Sequence, residues 1–515
     1  MADSTPFVPL LINNAAKPSS TGATFPILNP RTQQPASTAA SASPADIADA
    51  IAGAAAAQPA WEAQPPYDRR DVLLRVADLL STAEWRRTAA AAMQAETDAP
   101  AAWATYSAGV AASAVRGAAT MAGALRGESS DSQIPGGTVL VLRRAKGVVY
   151  SIAPWNAPVQ LTIRAIAIPL VCGNTVVLRP SEFSAHAQRV VVQAFLDAGL
   201  PSGVLQFLPM SREDTPALTP LIIGHPAVRM INFTGSDRVG ALLAAEAAKH
   251  LKPCVLELGG KAPAIVLDDA PLPNAARALL SAATLNAGQI CMSTERIIAT
   301  RGVHAALTTA LCSLLDAAFS ADAPEKPADA TEWLGALVGP RGAAGPVARV
   351  QRMVRDAVAA GAQVVWPRGG YEVWASAEAV EGGVVGICVV SGIKPGMEMW
   401  DRETFGPVVG MAVAEDVQDA IRLANETQYS LSGSVWTRDV YHAIEVVKVL
   451  RVGTANINGP TIQSEPMHGN HGIRCAVSSI AVSLRKMPDW TWIPAARVGT
   501  ADSTSTPLQI SAMLC

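Results

Sequence analysis

The chain has 515 residues, with 40 lysines and arginines against 43 aspartates and glutamates, so its formal net charge is −3. This balance argues against a nucleic-acid-binding protein, which usually carries a basic surplus or a basic stripe. Hydrophobic residues make up 50% of the chain and charged residues only 16%, which indicates a globular protein rather than a disordered one. At about 100–200 residues per domain, the length suits two to four folding units.

The sequence predicts neither a membrane span nor a signal peptide. The most apolar stretch, residues 161–178, is interrupted by Arg164, Pro169 and Asn174, whereas a spanning helix needs about 20 predominantly apolar residues. The seven cysteines are scattered and form no C-x-x-C pair, which favours a reducing compartment over a disulfide framework or a metal cage. We therefore predict a cytoplasmic protein without a bound metal, in which one cysteine remains available as a nucleophile.

The amino-terminal part of the chain predicts a few strands followed by helices. The segment FPILNPRT, residues 25–32, is typical of a strand and a turn. Ser43 followed by Pro44 predicts a helix start, because serine caps the first turn and proline fits the first helical position. Apolar spacing predicts a second helix over residues 67–85, and Ala-rich helical sequence continues to about Gly127.

From Gly136 onwards, strands and helices alternate along the chain. Gly136-Gly137 predicts a turn, after which strands such as NTVVLRPSE alternate with helices such as SAHAQRVVVQAFLDAG. The same alternation runs from about Leu279 to Thr461. This pattern predicts an α/β fold with a mostly parallel sheet, whose functional sites are expected at the carboxyl ends of the strands.

The segment FTGSDRVG, residues 233–240, is a candidate site for a phosphate group. A strand ends in Gly235-Ser236, and a helix is expected to begin at about Asp237. Backbone amides at a helix N-terminus bind phosphates and pyrophosphates. The glycine spacing differs from G-x-G-x-x-G, so an ordinary turn between a strand and a helix is an equal alternative.

Two further segments carry polar side chains in apolar surroundings. Asn156, within SIAPWNAP, has an amide group that can donate a hydrogen bond to an oxyanion, and an Asn-Pro turn is the alternative. Glu257, within VLELGGKAP, follows an apolar strand. A buried carboxylate there is expected to have a raised pKa, which suits a general base. A strand with Glu257 facing solvent is the alternative.

Cys291 is the candidate nucleophile among the cysteines. It follows a Gly-Gln pair in NAGQICMSTER and is expected in a turn or at the start of a helix. Nearby helical amides favour the thiolate, which is the reactive form. A buried, inert cysteine is the alternative, and it is the expectation for Cys172, Cys254, Cys312 and Cys388.

The order of the motifs APWN, FTGS, LELGGK, GQIC and ETFGPV resembles that of the NAD(P)-dependent aldehyde dehydrogenases. Glu257 and Cys291 are 34 positions apart, as in that family, and the likeness runs from about residue 8 to about residue 466. The resemblance implies an aldehyde dehydrogenase-like α/β fold with three parts. These are a Rossmann-type NAD-binding domain, an α/β catalytic domain and a small bridging or oligomerisation element, expected at residues 1–130 with 150–258, at 259–450, and at 131–149 with 451–515.

The resemblance also implies a reaction and a catalytic role for three residues. Cys291 would attack the aldehyde carbonyl, and Asn156 would hold the resulting oxyanion together with the cysteine backbone amide. After oxidation to a thioester, Glu257 would activate the water that releases the carboxylic acid. These implied roles agree with the chemistry expected from the residue types alone.

The cofactor-binding residues implied by the resemblance are Ile152, Pro154, Trp155, Arg179, Ser181, Glu182, Gly235, Ser236, Gly240, Leu258, Glu403 and Phe405. One of these positions departs from the family, because Arg179-Pro180-Ser181-Glu182 stands where Lys-Pro-x-Glu is usual. Glu182 is expected to repel a 2′-phosphate, while Arg179 would attract one. We therefore expect NAD as the cofactor, with NADP as the alternative.

The sequences of two segments resemble those of the family members that act on aromatic aldehydes, the salicylaldehyde and vanillin dehydrogenases. These segments are NAPVQLTIRAIAIPLVCGNTVVL and HLKPCVLELGGKAP. Arg164 would then lie near the substrate tunnel and pair with a ring hydroxyl or carboxylate. An arginine at the surface or between domains is the favoured alternative for Arg164. Semialdehyde dehydrogenases are the alternative within the family, and the family implies a homo-oligomer with a small aldehyde as substrate.

The family pattern stops after about Pro466, where a Pro-Phe-Gly-Gly loop and a Ser-Gly-x-Gly stretch are usual. The tunnel wall and the oligomerisation strand of the family are therefore in question for this chain. One alternative is an impaired relative that acts as a binding protein, and another is a different reading frame or splice after this point. A third is a dehydrogenase that transfers the acyl group to coenzyme A, against which the presence of Glu257 argues.

Overall fold

The structure is a computed structural model, and the residues that it describes are 5–319, 334–376, 382–462 and 481–484. The chain divides into two compact units, residues 1–256 and 257–515. Within the described ranges, no helix is both long and apolar enough to cross a membrane. Across the same ranges, no group of three or more histidine, cysteine, aspartate or glutamate side chains is arranged to hold a metal ion.

The first unit combines sheets and helices. Its strands are β1 (Phe7–Val8), β2 (Leu10–Ile12), β3 (Ala15–Lys17), β4 (Thr24–Leu28), β5 (Pro35–Ala40), β6 (Glu128–Asp131), β7 (Thr138–Val141), β8 (Val148–Ile152), β9 (Thr175–Arg179), β10 (Leu205–Phe207), β11 (Val228–Thr234) and β12 (Cys254–Glu257). Its helices are α1 (Pro44–Ala63), α2 (Pro66–Leu80), α3 (Ala83–Thr97), α4 (Ala101–Thr120), α5 (Pro158–Val171), α6 (Ala185–Asp197), α7 (Thr215–Gly224) and α8 (Asp237–Lys249).

The main sheet of this unit has the strand order β12-β11-β8-β9-β10-β2-β3. Strands β11, β8, β9 and β10 run parallel to their neighbours within this group. The chain moves from β8 to β9 and β10 on one side and then returns to β11 on the other, so the order reverses between β8 and β11. In doubly wound sheets, ligands bind in the crevice at the carboxyl ends of the strands on either side of such a reversal.

Local sequence signals explain where the first helices begin and end. Ser43 caps α1 with a capping box that includes Asp46, and Pro44 is its first residue, as predicted. The single helix predicted over residues 67–85 is wrong, because the chain forms α2 and α3 instead. Thr82 accepts a hydrogen bond from the backbone N–H of Trp85 and thereby caps a new helix, which the apolar spacing alone did not indicate.

A buried carboxylate stabilises the start of α6. Glu96, near the end of α3, is 1% exposed and accepts hydrogen bonds from the backbone N–H groups of His186 and Ala187 and from the hydroxyl of Ser37. Burial raises the pKa of Glu96 to about 7, although these hydrogen bonds oppose the shift. Because the α6 cap residue Ser184 makes no side-chain cap of its own, Glu96 supplies the acceptor that the helix start requires.

The raised pKa of Glu96 predicts that the folded chain loses stability as the pH rises from about 4.5 to about 7. In this window the unfolded chain has released the proton and the folded chain retains it, so the folded state binds more protons. We expect this group to lower the free energy of unfolding by about 3 kcal/mol across the window. Thermal melting at pH 5 and pH 7.5 measures the change, which Glu96→Gln should reduce. Glu84→Gln, an exposed change in the same helix, should leave it intact, and equal pH dependence in all three proteins would contradict the assignment.

The second unit also alternates strands and helices. The strands, within the described ranges, are β13 (Ala262–Val266), β14 (Thr294–Thr300), β15 (Gln363–Trp366), β16 (Cys388–Ser391), β17 (Val408–Ala414), β18 (Ser432–Trp436), β19 (Thr454–Ile457) and β20 (Ala481–Leu484). The helices there are α9 (Leu272–Thr284), α10 (Arg301–Ala318), α11 (Pro346–Ala359), α12 (Gly370–Trp374), α13 (Glu398–Asp401), α14 (Val417–Asn425) and α15 (Val440–Val449).

The strands of this unit form one sheet in the order β15-β16-β17-β14-β13-β18-β19-β20. All neighbours are parallel except β15 and β16. Buried aliphatic side chains from the strands pack with Trp400 and Trp436 in a continuous hydrophobic core. The α/β fold class is therefore confirmed. The departure from the family predicted after Pro466 lies outside the described residues, apart from β20, which pairs with β19.

Candidate active site

The turn before β14 holds Cys291 in the second unit, and Cys291 is half-buried there. The backbone just before this turn has a positive φ at three consecutive residues. The angles are 52° at Asn286, 55° at Ala287 and 71° at Gly288. Only glycine adopts this conformation readily, so the turn stores backbone strain, which is typical of functional sites. Gln289 stabilises the turn by accepting from the backbone N–H of Val338 and donating to the carbonyl of Ala336.

Glu257 ends β12 and is followed by a glycine turn that contacts the Cys291 turn. Its side chain is 7% exposed, which excludes the alternative of a solvent-facing glutamate. A side chain at Gly260 would collide with the carbonyl oxygen of Cys291, so only glycine allows the two turns to approach this closely. Leu258, which directly follows Glu257, is also buried.

A third turn, Glu403-Thr404-Phe405, lies beside the other two. Glu403 accepts a hydrogen bond from the backbone N–H of Gly260 at 2.9 Å, and a side chain at Gly259 would lie 2.6 Å from the Glu403 carboxyl. Phe405 has a positive φ of 48°. Burial, followed by repulsion from Glu295, raises the pKa of Glu403 to about 8.

These three turns precede β13, β14 and β17, which are adjacent and parallel. The residues therefore meet at the amino ends of the strands in this unit. The prediction that functional sites lie at the carboxyl ends of strands is wrong for Cys291, which comes immediately before β14 and therefore lies at the amino end of that strand. It holds for Glu257, which is the last residue of β12.

Two buried ionic groups connect the same turns. The Lys261 ammonium pairs with Glu295 and donates to the Thr404 hydroxyl, and both charged side chains are almost fully buried. Glu295 also accepts from the backbone N–H groups of Thr404 and Phe405. Burial lowers the pKa of Lys261, while the Glu295 charge opposes the shift.

Sequence reasoning missed this network, although a signal was present. Arg296, next to Glu295, is fully buried, donates to the carbonyls of Lys261, Leu423 and Ala424, and lies over the Trp400 ring. Charged residues at Lys261, Glu295 and Arg296 stand at the start of two strands that are otherwise apolar. Since charges in such strands must be paired, this pattern is the signal that would have indicated an ionic cluster.

The last part of the chain that matches the family motifs contacts the nucleophile turn. The Thr461 hydroxyl donates to the carbonyl of Met292, the residue after Cys291, at 2.7 Å. The hydroxyls of Thr294 and Thr461 are also hydrogen-bonded to each other at 2.8 Å. The segment before Pro466 therefore supports the Cys291 turn directly.

In the first unit, the carboxyl ends of β8, β9 and β11 bring several predicted cofactor residues together. Ile152 pairs in register with Arg179 on one side and with Phe233 on the other. Pro154 and Trp155 follow at the end of β8 and are half-buried, and the buried Asn156 comes next. The backbone carbonyl of Asn156 accepts from the Trp103 indole at 3.3 Å.

Arg179 and Glu182 form an ion pair at 2.8 Å, and Arg179 also donates to the Thr215 hydroxyl at 3.1 Å. The Nε atom of Arg179 is buried and has no hydrogen-bond partner among the described residues. Ser181 is buried, and its backbone N–H donates to Gln188. The two opposing charges expected to influence a 2′-phosphate therefore partly neutralise each other.

The predicted phosphate-binding turn has the expected form. β11 ends at Thr234, Gly235 follows, and Ser236 caps α8 by accepting from the backbone N–H of Val239 at 3.4 Å. Gly240 is buried on the first turn of that helix. The backbone N–H groups of Arg238 and Val239 donate to the side chains of Asp237 and Ser236, so an anion bound at this helix start would replace side-chain acceptors.

Arg164 lies on α5 and is half-buried. Among the residues that the structure describes, its guanidinium has neither a hydrogen bond nor an ion pair. Cys312 and Cys388 are buried, as expected for cysteines without a catalytic role. Cys172 and Cys254 are only half-buried.

A family model described as the aldehyde dehydrogenase family matches residues 17–475 of the chain. A vanillin dehydrogenase from Pseudomonas fluorescens is 39% identical over 467 residues, which cover 91% of this chain and 92% of that protein. A salicylaldehyde dehydrogenase from Pseudomonas putida is 36% identical over 459 residues, which cover 88% of this chain and 90% of that protein.

A solved structure supports the same family assignment. The crystal structure of a salicylaldehyde dehydrogenase from Pseudomonas putida G7, complexed with salicylaldehyde, matches with a TM-score of 0.82 at 34% identity. The match covers 92% of this chain and 96% of that one. The resemblance drawn from the motifs is thereby confirmed, and the chain belongs to the aldehyde dehydrogenase family, whose members are enzymes that oxidise aldehydes with NAD or NADP.

Proposed function

We propose that this enzyme oxidises an aromatic aldehyde to its carboxylic acid with NAD, using Cys291 as the nucleophile. The observation that carries the catalytic assignment is the contact between the Gly260 backbone and the Cys291 carbonyl. It joins the turn after Glu257 to the turn that holds the thiol. A strained, half-buried turn of this kind presents one side chain in a fixed position, which lowers the entropy cost of attack.

Asn156 is assigned as a donor to the oxyanion formed when the thiolate adds to the carbonyl. The assignment is supported by its buried position at the end of β8 and by the Trp103 hydrogen bond, which fixes its backbone. A donor on a backbone that is fixed in this way needs less reorganisation during the reaction than one on a mobile loop. The resulting intermediate loses hydride to become a thioester on Cys291.

Glu257 is assigned as the base that activates water for thioester hydrolysis. The burial of its side chain next to the turn that holds Cys291 supports this role, because a base must lie within reach of the reacting group and bulk solvent must be kept away from the thioester. Water adds to the thioester carbonyl and gives its proton to Glu257, and the C–S bond then breaks. The products are the carboxylic acid and the free Cys291 thiol.

The first unit has features that fit a dinucleotide. The exposed start of α8 at Gly235-Ser236 suits a pyrophosphate, and the partnerless buried Nε of Arg179 suits an acceptor such as a ribose hydroxyl. We propose NAD rather than NADP because Glu182 already engages the Arg179 charge that a 2′-phosphate would need. NAD supplies the hydride acceptor, and the residues named here bind and orient it.

In this proposal the remaining cofactor residues keep the roles that the motifs imply. Ile152, Pro154 and Trp155 would form the wall of the nucleotide cleft, and Leu258 would lie beside the nicotinamide. Glu403 and Phe405 would hold the nicotinamide ribose. The strained backbone at Phe405 and the hydrogen bond between Gly260 and Glu403 support a fixed position for this turn.

An aromatic substrate is supported by the names of the two relatives, vanillin dehydrogenase and salicylaldehyde dehydrogenase. Arg164 is a candidate contact for a ring hydroxyl or carboxylate, since no described residue pairs with its half-buried guanidinium. Burying a charge without a partner is unfavourable, so a substrate group is a reasonable counterpart.

A substrate panel tests this assignment. We expect the purified chain with NAD to form NADH faster from hydroxylated benzaldehydes than from succinate semialdehyde or lactaldehyde. Arg164→Met should raise KM for hydroxylated or carboxylated rings by about tenfold and leave benzaldehyde little changed, because one charged hydrogen bond is lost. A preference for the aliphatic aldehydes would refute the aromatic assignment, and equal KM changes for all rings would remove Arg164 from it.

We also propose a cytoplasmic homo-oligomer organised in the three parts predicted from the motifs. Support for self-association comes from the β6–β7 hairpin, on which Val139, Leu140 and Val141 are exposed. Exposed apolar strands in a two-stranded sheet are usually covered by another chain. Light scattering gives the mass in solution, and a monomer at micromolar concentration would contradict this proposal.

A further inference from the structure

The buried Lys261 side chain lies near two acidic side chains, Glu295 and Glu403, either of which could pair with its ammonium. It is 1% exposed, its ammonium pairs with Glu295, and the charge of Glu403 also acts on it. A buried ammonium requires a carboxylate partner. The carboxyl group that forms the ion pair with Lys261 is no longer available to bind another ligand.

Glu295, rather than Glu403, pairs with the Lys261 ammonium. It is 3% exposed, and besides the Lys261 pair it accepts from the backbone N–H groups of Thr404 and Phe405 at 2.8–3.1 Å. The Thr404 hydroxyl accepts from Lys261 as well, at 2.8 Å, and is fully buried. The ammonium is therefore held on the Glu295 side by two acceptors.

Glu403 is left with a different set of contacts. Its Oε1 accepts from the backbone N–H of Gly260, and no described residue donates to its Oε2. The absence of a side chain at Gly259 makes room for the Glu403 carboxyl. Arg349 fixes the backbone of the turn by donating to the carbonyls of Glu403 and Thr404.

We propose that Glu295 is a positioning residue, which holds the Lys261 ammonium so that the Glu403 carboxyl stays free to bind the cofactor. Glu295 itself does not contact the cofactor. This role rests on the proposed function, in which Glu403 holds the nicotinamide ribose. It assigns to the position four residues after the nucleophile a function that the motifs did not indicate.

The neutral variant Glu295→Gln is the direct test, with NADH as the probe in a fluorescence titration of the full chain. The uncharged amide of this variant would attract the ammonium far less than the carboxylate does. Lys261 is therefore expected to pair with Glu403, which would make the Glu403 carboxyl unavailable to the cofactor. We expect the NADH dissociation constant to rise by about 10- to 100-fold, as for one lost charge-assisted hydrogen bond.

The double variant Lys261→Met/Glu295→Gln separates this role from a purely structural one. It removes the ammonium that would capture Glu403, so we expect the dissociation constant to return to within about threefold of the wild type. A double variant that binds NADH no better than Glu295→Gln would overturn the proposal. So would a Glu295→Gln protein that binds as tightly as the wild type.

Thr404→Val provides a milder test if Glu295→Gln does not fold. It removes one acceptor of the ammonium with little change in side-chain size and none in charge, and we expect the dissociation constant to rise by about two- to fivefold. An unchanged value would contradict the proposal. Melting temperatures measured for each variant identify loss of folding.

The alkylation rate of Cys291 by iodoacetamide, measured without NADH, is the second readout. We expect Glu295→Gln to stay within about threefold of the wild-type rate, because the Cys291 turn keeps its own contacts. A rate that changes as much as NADH affinity would show that the ion pair acts on the Cys291 turn, which would overturn the proposal. A wild-type chain that binds no NADH would refute the proposed function, and this inference with it.

Discussion

Replacement of Cys291 by alanine is expected to abolish aldehyde oxidation while leaving NADH binding within about twofold of the wild-type value. Without the thiolate no covalent intermediate forms, and hydride has no route from an unactivated aldehyde. Loss of a nucleophile typically lowers the rate by several orders of magnitude, so we expect less than about one thousandth of wild-type turnover. Steady-state NADH formation and NADH fluorescence measure the two quantities.

Cys172→Ala is the matched control for this prediction. Cys172 is also half-buried, but it lies at the end of α5 and has a pKa raised by burial, which disfavours the reactive thiolate. We expect this variant to keep most of its activity. Substantial turnover by Cys291→Ala would show that another group is the nucleophile.

Glu257→Gln is expected to separate the two halves of the reaction. The thioester still forms, so a pre-steady-state burst of about one NADH per active site should remain. Its hydrolysis lacks a base, and the subsequent steady rate should fall by about 10²- to 10⁴-fold. Stopped-flow absorbance at the NADH band resolves both phases.

Hydroxylamine provides an internal check on the Glu257 assignment. It attacks the thioester carbonyl directly and releases Cys291 as the thiol, with the acyl group leaving as a hydroxamate. We expect added hydroxylamine to restore turnover in Glu257→Gln more strongly than in the wild type. A variant that shows no burst at all would place Glu257 at an earlier step than hydrolysis.

Local motifs predicted much of the candidate site, because several of its features depend on short stretches of chain. The capped start of α1 at Ser43, the turn at Gly235-Ser236 and the turn at Cys291 all formed where the sequence indicated. Each depends on hydrogen bonds or backbone angles within a few residues. The break at Thr82 was missed because its hydroxyl cap competed with an apolar pattern that continued through it.

Interactions between distant residues were not predictable in the same way. Lys261 and Glu295 are 34 positions apart, and Thr404 is more than a hundred positions further along the chain. The charges in apolar strands indicate that partners are required, but they do not indicate which residues those partners are. Only the order of β17, β14 and β13 in the sheet places them together.

The sequence by itself determined the family, the α/β class and the identity of the candidate nucleophile and base, because these follow from the type and order of residues in short motifs. The tertiary structure alone decided which edge of the second sheet carries Cys291, that Glu257 is buried, and which carboxylate takes the Lys261 charge. Burial and ion pairing depend on which strands become neighbours. That choice is made by the packing of the whole core rather than by any local segment.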